Sequence, residues 1–313
     1  MVDFLGSGVK LGKEKKYFVT EACEYVQSFL KLSPTHILVN NIDDDHLDCY
    51  DDIDHIYRTF KEFVNLMPEN GKLFLSRDDE LAHSLNDTDY DLVEYGIKED
   101  GDGYSVSDVK YSAMGCPSFD VVKENEVLGR IELSVPGGYN MANALSAFTI
   151  CHEVFGVDVK MAAKALLEYN LVGRRFEYMG EKNEVRVVHD YAHHPNEISA
   201  CLDGASKYPH EKLWVLFQCN SFTRAKTLKE KYGKCFDMAD AVIVPDIYPG
   251  RDIDKGEIHA TDLVNEINTN SAECIYLATF EEINDYLEEN AKPGDLVLTL
   301  GSGDVYKQTS KLL

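Results

Sequence analysis

From about residue 173 onward, short apolar runs alternate with stretches of helical spacing, and no other pattern in the chain limits its fold as tightly. The runs fall at 185–189, 213–217, 241–244, 274–277 and 295–300. Helical spacing fills 196–207, 223–236, 261–267 and 280–290 between them. Short runs of continuous apolar residues suit strands covered on both faces. Their alternation with helices predicts a doubly wound parallel sheet, the α/β class.

The first half is more mixed. A strand-like run at Tyr17–Thr20 leads into a helix or turn to about Leu32, then a buried strand at His36–Val39. An amphipathic helix follows at Ile53–Met67, with Ile56, Phe60, Phe63, Val64 and Met67 at helical spacing, and then a strand at Lys72–Ser76. Residues 90–135 alternate around Gly and Asp breaks, which predicts a small antiparallel sheet. Asn140–Phe155 and Val159–Glu168 read as helices parted by Gly156. Gly173 and Arg174 mark a boundary, giving domains at 1–172 and 173–313, each long enough for its own core.

The strand near 185 runs straight into Asp190-Tyr191-Ala192-His193-His194-Pro195. Proline there stands where it is tolerated as a helix opens. Polar groups at the carboxyl end of an α/β strand lie where such sheets bind ligands. The same residues also suit a plain turn with a capping aspartate and two surface histidines.

A formal charge of −24 argues against a nucleic-acid surface. Eight cysteines without a C-x-x-C pair fit a reducing compartment rather than a disulfide framework or a zinc site. No run is long enough to span a membrane and the N-terminus does not read as a signal peptide, so the cytoplasm is expected.

The ordered stretches TEACEY (20–25), NNIDDDHLD (40–48), PGGYNMANALSA (136–147), VGRRFE (172–177), DYAHHP (190–195), FQCNSFTRA (217–225), DIYPGR (246–251) and GSGD (301–304) resemble the Mur ligase family. The resemblance is to the branch that uses ATP to join L-alanine to UDP-N-acetylmuramate in peptidoglycan precursor synthesis. It implies a truncated Mur-ligase central domain, 1–172, followed by a C-terminal Rossmann-like doubly wound domain, 173–313. The expected reaction is attack of the substrate carboxylate on the γ-phosphate, then of the amine on the acyl phosphate, with positioning and charge doing most of the work.

Site roles follow from the same resemblance. Glu21 and His46 would hold a magnesium ion; alternatively Glu21 suits a helix N-terminus and His46 a turn. The nearby aspartates Asp43, Asp44, Asp45 and Asp48 read as mostly solvated, with Asp45 the first choice of helper to the metal. Asn41 is assigned to substrate. Tyr139, Asn140 and Asn143 would meet the adenine, Tyr139 standing where the family has histidine; a helix N-cap is the alternative. Arg174 is assigned to cofactor, or to a domain-interface ion pair, and Arg175 would reach the phosphates when the domains close. Asp190 would accept the ribose hydroxyls. His193 and His194 would face the acceptor amino acid and the reacting carboxyl. Arg224 and Arg251 would bind a carboxylate. His189 stands where the family has a second aspartate, and Cys219 and Asn220 replace its proline and histidine. The glycine turn at 301–304 reads as structural.

A phosphate-cradling G-x-x-x-x-G-K-[ST] pattern is absent. The pairs Gly12-Lys13, Gly71-Lys72 and Gly233-Lys234 lack both the earlier glycine and the following Ser or Thr. In the family, a UDP-sugar domain and this P-loop precede the segment with which the chain starts. The expectation is therefore a chain inactive alone with an unpaired sheet edge. It would be either a pseudoenzyme or binding module, or half of a split ligase completed by a P-loop-bearing partner chain. A relative that attaches a whole peptide is a further alternative.

Overall fold

The computed structural model describes residues 14, 16–46, 49–98, 101–309 and 311–312. Expectations for the first residues and for Asp48 lie outside them.

The first unit is one six-stranded sheet in the order β1 (His36–Val39), β2 (Lys72–Ser76), β3 (Asp91–Tyr95), β4 (Tyr104–Tyr111), β5 (Pro117–Lys123), β6 (Glu126–Glu132). The first three strands run parallel and the last three antiparallel. The predicted antiparallel sheet is therefore the continuation of a parallel one, joined by the single parallel pair Tyr95–Tyr104. Gly103 permits the join. At φ +83° a Cβ there would sit 2.2 Å from the Glu94 carbonyl oxygen, so only glycine lets the backbones pass.

Helix α1 (Ile53–Val64) starts where the Asp52 carboxylate accepts the His55 amide at 2.7 Å. It packs Phe63 on Phe29 with ring centroids 4.5 Å apart. The short α2 (Glu80–His83) is capped by Asp79 in the same way. Helix α3 (Gly138–Phe155) buries Met141, Ala144, Leu145 and Phe148 against Phe74, Phe119 and Ile131, and α4 (Val159–Leu167) closes that core. Each fully buried side chain of this size contributes about 1.5–3 kcal/mol.

The second sheet has the order β11 (Cys274–Tyr276), β10 (Ala241–Val244), β9 (Leu213–Phe217), β12 (Leu296–Leu300), β8 (Val185–Asp190), β7 (Glu177–Lys182). All neighbours are parallel except β7 on β8. Leu213, Val215 and Phe217 face one core with α5 (Pro195–Ser206), α6 (Phe222–Thr227), α7 (Lys229–Tyr232) and α8 (Ala260–Asn270). Trp214 and Leu216 face another with α9 (Phe280–Asn290) and α10 (Val305–Thr309). Covering both faces is what the continuous apolar runs demanded.

Two expectations are corrected. Tyr17–Thr20 forms no strand, and Phe18 lies 86% exposed, because no described strand pairs with it. The helix or turn expected after it is a 3-10 segment, Tyr25–Lys31, kinked by left-handed Val26 and Gln27. The helix expected at 223–236 is two short ones, broken at Leu228 (φ −101°, ψ 12°).

Candidate active site

Loops from the carboxyl ends of β1, β8, β9 and β12 meet between the two sheets. The loop after β1 is anchored by Tyr95, whose hydroxyl donates to the Val39 carbonyl at 3.0 Å, and by Asp79, which accepts the Ile42 amide at 3.2 Å. So held, it presents three consecutive aspartates to the second unit. Asp43 lies 3.4 Å from His194 Nδ1 and accepts a hydrogen bond from Asn196. Asp44 accepts the Lys231 ammonium at 2.6 Å and lies 3.5 Å from His194 Nε2. Asp45 accepts Arg224 Nη2 at 2.7 Å. The expectation of mostly solvated aspartates fails for Asp43, Asp44 and Asp45, which are half-buried and bridge the units.

His46 follows in a left-handed conformation (φ 57°), a strained one for a residue with a Cβ. Its Nε2 lies 3.3 Å from Glu24, and this contact raises the imidazole pKa above its usual value and lowers the Glu24 carboxyl. Glu21 is exposed and makes no ion pair among the described residues. As placed, the Glu21 and His46 pair expected to hold magnesium is not assembled. The glutamate of the EACE stretch that reaches the His46 ring is Glu24, three residues after Glu21.

On the other side of the cleft, Asp190 is only 4% exposed. Its Oδ2 accepts the Phe176 amide and its Oδ1 the Ala192 amide, each at 2.7 Å. Burial pushes its pKa up while these amides pull it down. The carboxylate thus pins the segment between the units to the strand end, leaving little surface for a ribose. His189 is fully buried and bonded through Nδ1 to Thr299 Oγ1 at 2.8 Å; burial, with Arg174 nearby, pushes its pKa down to about 3. Its ring packs against Tyr306 of α10, centroids 4.9 Å apart.

His193 sits 3.0 Å from the Tyr191 carbonyl and 3.2 Å from Glu197, both through Nδ1, and burial lowers its pKa. His194 opens α5 with Pro195 behind it. The Tyr191 ring carries Arg174 and Arg175 at 4.6 and 5.2 Å, and Arg174 also stacks on Tyr306 at 4.8 Å. Arg174 has φ +68° and its buried Nε has no hydrogen-bond partner, whereas Arg175 is exposed.

Tyr139 packs its ring on Gly137, where an added Cβ would meet Cε1 at 2.6 Å, and its buried hydroxyl has no hydrogen-bond partner. Asn140 is buried and donates to the Pro136 carbonyl at 2.6 Å, tying the start of α3 to the turn before it. Asn143 and Asn41 are exposed. Of the three adenine candidates, only Asn143 offers its side chain to solvent.

A cleft of about 390 Å³ opens between Asp45 and His46 on one side and Asn220, Arg224, Tyr248 and Arg251 on the other. Ser221, left-handed at φ +75°, caps α6 and thereby aims Arg224 at the aspartate loop. Asn220 donates to Ser302 in the glycine turn. Arg251 is exposed and has no ion pair among the described residues. The structure thus brings His46, Arg224 and Arg251 onto one cleft. Sequence reading missed Lys231, Asn196 and Glu24; three aspartates in a row after a strand end were the one available signal that cations face them.

Burial alone would raise the Asp45 carboxyl, but Arg224 and His46 hold it down to about 2 from 3.8. The stabilisation is therefore present above the unfolded value and lost as pH falls through about 2, and it amounts to about 2 kcal/mol. Asp45→Asn should lower stability by about that much at pH 7 and by little at pH 2. Urea unfolding of parent and variant at both pH values checks this; equal losses at both would show that the ion pair contributes nothing.

Comparison with known proteins gives concordant matches. The family model for the Mur ligase middle domain matches residues 8–151, and that described as "Mur ligase, glutamate ligase domain" matches 174–303. The UDP-N-acetylmuramate--L-alanine ligase of Acetivibrio thermocellus is 41% identical over 307 residues, covering 98% of this chain and 65% of that protein. The enzyme of the same name from Caldanaerobacter subterraneus subsp. tengcongensis is 39% identical, covering 100% of this chain and 67% of that protein. The chain thus spans about two thirds of the length of these relatives. Among solved structures, UDP-N-acetylmuramate-alanine ligase MurC from Thermotoga maritima aligns with TM-score 0.71 at 23% identity, over 91% of this chain and 60% of that one. MurF from Acinetobacter baumannii aligns with TM-score 0.73 at 15% identity, over 92% and 61%, a likeness of fold alone.

Proposed function

The chain belongs to the Mur ligase family, and from that premise we propose that its cleft serves the ATP-dependent joining of L-alanine to UDP-N-acetylmuramate. The observation that carries this reading is the gathering of His46, Arg224 and Arg251 from both units on one cleft. Arg251, free of ion pairs among the described residues, binds the carboxylate of the incoming amino acid with its planar fork. His193, kept neutral by burial, is suited to take a proton from the attacking amine, as a base must be unprotonated to do. Arg224 is positioned by Asp45 and carries positive charge to the reacting carboxyl. Arg175, exposed beside the strand end, is the group that moves to the phosphates on closure.

ATP, when bound, supplies the phosphoryl group that converts the carboxylate into one an amine can attack. Toward it the chain offers Asn143 for the base and Arg174 beside Tyr191. Glu21 and His46 as placed do not fit a shared magnesium ion, since Glu21 is exposed and His46 faces Glu24. The division at 172/173 separates the two sheets. Among the described residues no helix is long and apolar enough to cross a membrane, in keeping with a cytoplasmic setting.

The missing G-x-x-x-x-G-K-[ST] pattern supports a second reading, in which these residues act with a P-loop-bearing partner chain. Mixing the chain with a P-loop-bearing segment from a relative should produce a complex whose phosphate release requires both UDP-N-acetylmuramate and L-alanine. Release that ignores L-alanine but responds to a peptide would move the acceptor to that class. Complex formation without release would leave a binding module.

A further inference from the structure

We propose that Asp44 and His194 Nε2, with Asp43 as the outer carboxylate behind the ring, form a binding site for a divalent transition-metal ion, such as Mn2+, that straddles the two units. One ligand atom from each of the three lies within 4.8 Å of the other two. His194 is 3% exposed, and its buried Nε2 has no hydrogen-bond partner although it faces Asp44 at 3.5 Å. That spacing is too long for a hydrogen bond and short enough for both atoms to ligate one ion. The other ring nitrogen lies 3.4 Å from Asp43. A carboxylate at the second nitrogen is how metal-ligating histidines are oriented. Asn196, donating to Asp43, holds that carboxylate in turn.

The donor set selects the ion. One imidazole with carboxylates suits Mn2+ or Zn2+ better than Mg2+, which prefers oxygen alone. Electrostatics point the same way: two carboxylates face a single ammonium, that of Lys231, which sits 2.6 Å from both oxygens of Asp44. Lys231 is exposed and can swing into solvent, so it is a competitor for the ion and not a barrier. The site uses neither Glu21 nor His46 and stands whether or not the ligase reading does. Because the aspartates follow β1 and His194 follows β8, a bound ion fastens the two units together.

The test is titration of Mn2+ alone onto the 313-residue chain carrying Glu21→Gln and His46→Gln, which removes the other candidate metal residues. Free Mn2+ is counted by its electron paramagnetic resonance signal. Mn2+ is the probe because exposed thiols such as Cys23 compete for zinc. The expected result is one Mn2+ per chain with nitrogen hyperfine coupling from an imidazole and a raised melting temperature. Asp44→Asn should weaken binding by more than the roughly 10–100-fold cost of losing an outer partner. Lys231→Met should tighten it. If Asp44→Asn fails to fold by circular dichroism, His194→Gln carries the same test. Absence of saturable binding, or binding that neither variant weakens, overturns the proposal and leaves a plain ion-pair network.

Discussion

Supplied with ATP, UDP-N-acetylmuramate, L-alanine and magnesium, the 313-residue chain by itself is expected to release no phosphate above background. Phosphoryl transfer gives a protein little covalent chemistry to do; its acceleration comes from holding the phosphates and neutralising their charge. A P-loop does both through a ring of backbone amides and a lysine. None of the three Gly-Lys pairs here can form one; Gly71 sits in the turn before β2 and Gly233 after α7. The remaining cations, Arg174 and Arg175, stack on Tyr191 and cannot replace a cradle of amides. Since enzymes exceed their uncatalysed reactions by about 10⁶-fold or more, losing the cradle should carry the rate below detection. A phosphate assay on the purified chain decides it. Release that needs both co-substrates and disappears in Arg251→Ala would sink the expectation.

Asp190→Ala should unfold the second unit more readily than any cleft substitution. It removes the acceptor of two amides, those of Phe176 and Ala192, in a site 4% exposed. A buried donor left without a partner costs about 1–3 kcal/mol, so the pair costs about 4 kcal/mol. At 2–4 °C per kcal/mol the melting temperature should fall by roughly 10 °C. The chain's single tryptophan, Trp214, is buried in β9, so its fluorescence follows this unit alone. A melting curve unchanged in the variant would mean that Asp190 carries no structural burden and is free for a ligand.

The second sheet was legible because its strands are buried on both faces. Leu213–Phe217 and Ala241–Val244 are continuous apolar runs, and their bounds came out as read. Local pattern failed where tertiary contact decides. Tyr17–Thr20 has strand composition but no strand to pair with. Residues 90–135 alternate as antiparallel strands do, yet β3 pairs with β2 in parallel, a fact held by residues outside the window. In the site, Arg224 was identified as a carboxylate binder from the family resemblance. Its present partner, Asp45, is 179 residues away, beyond any spacing rule. Glu24 was hidden because the kink at Val26 and Gln27, not a regular helix, carries the EACE stretch toward His46.

The aspartate loop has one further consequence. Its three neighbouring carboxylates meet three different elements of the second unit: α5 through Asn196, α7 through Lys231 and α6 through Arg224. Adjacent teeth of a key share a blade, and a shift by one residue misplaces all of them at once. Side-chain identity at any one position is then negotiable, since two other contacts keep the register. Loop length is not: an insertion or deletion between Val39 and Asp43 would move every carboxylate off its partner. Lineages descending from this chain are free to vary the letters of that loop but are held to its length.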